Sequence, residues 1–131
     1  MTDALTITKT AGRVTIFHLS GYLDAGTESQ LVEAARKEKE TGGRFLLIDL
    51  GGIEMLSSAG LRALHNIFKL FTPREEIDTW QKENPGDMYK SPYFKLAGAS
   101  SRVFSILNLA GFLHNIPIYP NVKGALESFD A

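Results

Sequence analysis

The sequence predicts an α/β fold, and three observations carry that prediction. Apolar residues switch between period-two alternation and helical spacing along the chain. One short apolar run, Phe45–Leu50, broken only by Asp49, reads as a strand buried on both faces. After an opening pair of strands, strand and helix patterns alternate, which is the order of parallel strands joined by right-handed helical crossovers.

The first strand is read from Leu5 and Ile7 alternating with Thr6 and Thr8, and the second from Val14, Ile16 and His18 alternating with Thr15, Phe17 and Leu19. Ala11-Gly12 between them reads as a tight hairpin turn. Thr27-Glu28-Ser29-Gln30 has the spacing of a capping box and opens a helix through Leu31, Ala34, Ala35 and Glu38, which Gly42-Gly43 ends. Phe45–Leu50 follows as the central strand, and Gly51-Gly52-Ile53-Glu54 reads as the loop beyond it. A second helix is expected from Ser57 or Ser58, with Leu61, Leu64, Phe68 and Phe71 on one face and Arg62, His65 and Lys69 off it.

Residues 72–92 hold Pro73, Pro85 and Pro92 among charged residues and read as a long surface excursion. Within it Ile77, Trp80, Met88 and Tyr89 offer a contact patch for a partner or a homodimer, or fold back on their own domain; one tryptophan amid charges favours the second. Tyr93–Ala97 restores a strand pattern, Ser101–Leu109 a helix, Ile116–Tyr119 a last strand and Val122–Phe129 a closing helix. Ser100, Ser101 and Ser105 read as caps or decoration of the third helix, and Phe104, Leu107 and Phe112 as core. That makes four helices in a single domain over residues 1–131, without an internal repeat.

A chain of 131 residues fits one domain that buries about two-thirds of its unfolded surface. Fourteen basic and fifteen acidic residues leave a formal charge of −1, without the basic excess that drives binding to phosphate backbones, so no nucleic-acid partner is expected. Cysteine is absent, and His18, His65 and His114 lack the spacing of metal ligands, so no metal site is expected. The first residues have no signal pattern and no run approaches the apolar length that spans a bilayer, which points to a cytoplasmic protein without membrane insertion. No phosphate-cradling glycine motif and no G-x-S-x-G occur, so neither a cofactor nor catalysis is expected. Asp49, inside an apolar run, needs a hydrogen-bond partner if buried.

Three stretches, in order, carry a family resemblance. They are HLSGYLDAGTESQL (His18–Leu31), LLIDLGGIEMLSSAGLRAL (Leu46–Leu64) and KLAGASSRVFSILNLAGFLHNIPIYPNVKGAL (Lys95–Leu126). Together they resemble the STAS family, to which many anti-sigma factor antagonists belong. The resemblance implies a mixed sheet with helices packed mainly on one side, and a binding protein without enzymatic activity. It implies as partners a serine-kinase anti-sigma factor of the GHKL type and a metal-dependent protein phosphatase. The family's phosphoacceptor corresponds to Ser58, with Asp24, Ser57, Gly60 and Arg62 as contacts around it. Two positions depart from the family pattern: Ser57 stands where aspartate is usual, and Ala59 where a second serine or threonine is usual. An exposed hydroxyl at a helix start suits a phosphate chemically, because unpaired N–H groups and the helix dipole stabilise an anion there. Serine is equally a common helix cap, and either Ser57 or Ser58 suits that plainer role. Two other readings stay open: an interaction subunit associated with a membrane transporter, and a small-ligand sensor or hydrolase with a cleft near residues 72–92.

Overall fold

The computed structural model describes residues 4–111 and 114–129. Its elements are β1 (Leu5–Thr10), β2 (Thr15–Leu23), α1 (Glu28–Glu40), β3 (Leu46–Leu56), α2 (Ser58–Phe71), α3 (Arg74–Glu83), β4 (Phe94–Ala97), α4 (Ser101–Leu109), β5 (Ile118–Tyr119) and α5 (Val122–Ser128). The strands lie in sequence order, β1 antiparallel to β2 and every later neighbour parallel, so the sheet is mixed.

Period-two alternation divides the core between the two faces of the sheet. Phe17, Leu19, Leu46, Ile48, Leu50, Phe94 and Leu96 face one side, where Leu31 of α1, Leu64 and Phe68 of α2 and Val103 and Leu107 of α4 pack on them. Ile16, Leu47 and Ala97 face the other, covered by Ala125 of α5 and by Phe129. Leu46 and Leu47 thus serve opposite clusters, which is why Phe45–Leu50 reads as a continuous apolar run. Ile77 of α3 also packs on the first cluster, so the helices lie mainly on one side.

Several local expectations differ from the structure. Residues 11–14 form the connection between β1 and β2, longer than a tight Ala11-Gly12 turn. The capping box is not made: Thr27 holds the N-cap position of α1, but its hydroxyl donates to the carbonyl of Tyr22 at 2.9 Å. Gln30 instead donates to the carbonyl of Leu5 at 3.0 Å, tying the helix to β1.

The expected loop Gly51-Gly52-Ile53-Glu54 is strand. From the pair His18 and Asp49 to the pair Ser20 and Gly52, β2 advances two residues and β3 three, and a second shift follows between Gly21 and Tyr22. At the first bulge a Cβ on Gly52 would lie 2.7 Å from the Leu19 carbonyl oxygen, so glycine permits the close approach. Residues 74–83 of the segment read as an excursion form α3, giving five helices among the described residues. Phe104, expected in the core, is 43% exposed, while Leu107 is fully buried. Phe112 lies outside the described residues. The last strand is confined to Ile118–Tyr119.

Candidate functional site

The site is built where β2 and β3 end side by side. Leu23 and Leu56 are register partners, so the residues that follow them, Asp24 and Ser57, emerge together at the carboxyl edge of the sheet. The backbone N–H of Ser57 donates to the Leu23 carbonyl at 3.1 Å and fixes the start of α2 against β2. Open α/β sheets commonly present their binding loops at this edge.

The two serines there are unequal. Ser57 is the N-cap of α2, in extended backbone conformation, and its hydroxyl accepts from the Gly60 N–H at 3.4 Å. Ser58 is the first helical residue and is exposed. The capping role therefore falls on Ser57, and Ser58 is an exposed residue in the first turn.

Gly60 is buried rather than lying open on the surface. A Cβ there would stand 2.5 Å from the Leu23 carbonyl oxygen and 2.7 Å from Leu56 Cδ1. The missing side chain lets the first turn of α2 close onto the ends of both strands, so Gly60 sets the position of Ser58 without offering a surface itself. Ala59, Ala63, Leu64 and Ile67 bury the inner face of the helix.

Asp24 is half-buried and organises the turn into α1. Its carboxylate accepts from the Gly26 N–H at 3.0 Å, and its carbonyl accepts from the Glu28 N–H at 2.9 Å. Arg62, one turn after Ser58, reaches across to Glu28 in the first turn of α1 at 3.3 Å. Sequence reasoning missed Glu28 as part of this region; its only signal is an acidic residue in a first helical turn.

Asp49 finds its partners on the α5 face of the sheet. His18 Nδ1 lies 2.8 Å from Asp49 Oδ2, Thr10 Oγ1 lies 2.9 Å from His18 Nε2, and the Gly51 N–H donates to Asp49 at 2.9 Å. These bonds satisfy the carboxylate within the sheet and lie apart from Ser58. Ser100 caps α4 by accepting from the Val103 N–H at 3.2 Å. His65 is on the exposed face of α2; burial, then the charge of Lys69, hold its pKa below the usual histidine range. A cleft of about 340 Å³ between α2 and α3 is lined by His65, Lys69, Arg74 and Ile77 among others. Among the described residues no group of three or more His, Asp or Glu could hold a metal ion, and no helix is long and apolar enough to cross a membrane.

The STAS domain family matches residues 6–77, more than half of the chain, and the protein belongs to that family. No curated protein sequence matches it. Among solved structures it is similar to an anti-sigma factor antagonist from Mycobacterium paratuberculosis, with a TM-score of 0.79 and 22% identity over 98% of this chain and 97% of that one. It is also similar to the anti-sigma factor antagonist SpoIIAA in its unphosphorylated form, with a TM-score of 0.61, 11% identity and coverage of 98% and 99%. A sulfate transporter family protein from Wolinella succinogenes shares the fold with a TM-score of 0.63, 17% identity and coverage of 92% and 87%.

Proposed function

We propose that the protein is a cytoplasmic anti-sigma factor antagonist whose docking face is the start of α2 together with Asp24, and that phosphorylation of Ser58 switches it. Its partner on this reading is a serine-kinase anti-sigma factor of the GHKL type, with a metal-dependent phosphatase to reset it. The protein itself supplies no catalysis and no cofactor. Ser57, Ser58 and Arg62 meet the partner, and Gly60 holds them in place.

One observation carries the reading: Ser58 is exposed at the first position of α2 while its neighbour Ser57 supplies the cap. A kinase can reach that hydroxyl without opening the domain. The phosphate adds roughly −1.5 to −2 charges to a surface that must shed water on docking. A hundredfold loss of affinity needs only about 2.8 kcal/mol, which one misplaced interfacial charge supplies.

Incubation with the cognate kinase and ATP should add one phosphate by intact-mass analysis. Ser58→Ala should abolish the addition, and Ser57→Ala should retain it. Labelling that persists in Ser58→Ala refutes the assignment. The likeness to the Wolinella protein favours one second reading, an interaction subunit of a membrane transporter without phosphorylation. Co-purification with transporter subunits and no affinity for any kinase would decide for it.

A further inference from the structure

The ion pair between Glu28 and Arg62 joins the first turn of α1 to the second turn of α2, one turn after Ser58, and the docking reading leaves it without a role. The guanidinium makes one contact of 3.3 Å, with 61% of the Arg62 side chain and 25% of the Glu28 side chain exposed. A single exposed contact of that length holds an arginine weakly. Arg62 is also four residues after Ser58 on the same helix, and helical side chains lean toward the amino end, so its natural reach is over Ser58.

A phosphoserine at 58 would present three acceptor oxygens and nearly two charges, and a planar guanidinium fork binds such a group through two bonds at once. The carboxylate of Glu28 offers less charge and, as placed, one bond. We propose that phosphorylation of Ser58 transfers Arg62 from Glu28 to the phosphate, so that the docking face changes by re-pairing as well as by added charge. Arg62 is withdrawn as a donor to the partner, and the Glu28 carboxylate is bared beside the new phosphate. Glu28 becomes part of the switch, although it lies outside the serine motif. This inference rests on Ser58 being the acceptor.

The test uses full-length protein with phosphoserine installed at position 58 by semisynthesis, which needs no kinase. The second ionisation of the phosphate is followed by phosphorus NMR, and the Arg62 Nε–H by nitrogen-15 NMR. Its pKa should lie about half a unit lower than in Arg62→Gln, since a nearby cation favours the dianion and solvent screens the effect. Glu28→Gln should leave that pKa low or lower it further, and the Arg62 resonance should move on phosphorylation. Arg62→Lys, which keeps the charge without the fork, should fall between. An Arg62→Gln titration superimposed on the wild type, or an Arg62 resonance that stays in place, overturns the re-pairing. Kinase labelling at another serine would instead sink the acceptor reading and leave this titration standing.

Discussion

Glu38 shows at the scale of one residue how a charge is kept inside this domain. The carboxylate of α1 is buried, with Lys9 Nζ at 2.7 Å and the Thr15 hydroxyl donating at 2.7 Å. Burial pushes its pKa up, but the bonds from Lys9 and Thr15 and the charge of Lys9 together outweigh burial and hold it below the ordinary value. A carboxylate depressed on folding contributes stability that is present above its unfolded pKa and is lost as pH falls through the folded one. Stability should therefore decline as pH drops below the ordinary 4.5, and Glu38→Gln should flatten that part of the profile. The variant should also cost about 1 kcal/mol at neutral pH, discounted because Lys9 is half exposed and water can solvate it. Urea denaturation as a function of pH checks both; an unchanged acid limb in Glu38→Gln would show that the charge is not what this pair contributes. Glu38 was legible only as a member of the helix, because its partners come from β1 and β2, distant in sequence. For the helix cap the sequence left Ser57 and Ser58 as alternatives, and the geometry gives that role to Ser57.

Among the elements, α3 is the one that the sequence concealed. It has no buried residue, its charges dominate the segment, and prolines at 73 and 85 bracket it, so no apolar stripe announces a helix. Its fastening is polar and comes from elsewhere: Glu76 accepts from the Tyr93 hydroxyl at 2.7 Å and from the Tyr89 hydroxyl at 3.2 Å. Trp80 meets Tyr89 edge-on, and Tyr89 is only 4% exposed, so the segment folds back on its own domain. For Tyr89 burial, then the charge of Glu76, and for Tyr93 the bond to Glu76, push the phenol pKa up and keep both hydroxyls as donors. Tyr93→Phe removes the shorter bond and should cost about 1 kcal/mol, speeding hydrogen exchange of residues 74–83 roughly fivefold. Exchange in α3 that does not change would mean that Ile77, Trp80 and the Tyr89 bond hold the helix without Tyr93. The strand extension through Gly51 and Gly52 was hidden for a different reason: a glycine pair reads as a turn, whereas here it admits a bulge against β2.

At the level of the whole molecule, strand direction and the order of every element but α3 were legible because alternation, the apolar run and the helix stripes are local signals that agree with one another. The edge where Asp24 meets Ser57 was legible only through family likeness, since it depends on the pairing of Leu23 with Leu56. That construction also says what a phosphate on Ser58 would do to the fold. Ser58 is exposed, while the packing of α2 runs through Ala63, Leu64, Ile67 and Phe68. A phosphate in the first turn disturbs none of those contacts, and its interaction with the helix dipole is favourable by about 0.3–1 kcal/mol. Phosphorylated protein should therefore melt about 1–4 °C above the unmodified form. On the proposed reading its affinity for the kinase should meanwhile fall about a hundredfold, through changes confined to the docking face. Scanning calorimetry of both forms, paired with titration calorimetry against the kinase, separates the two effects. A melting temperature several degrees lower after phosphorylation would mean that the switch works by loosening the domain, because a group confined to the exposed first turn of α2 has no other way to reach the core.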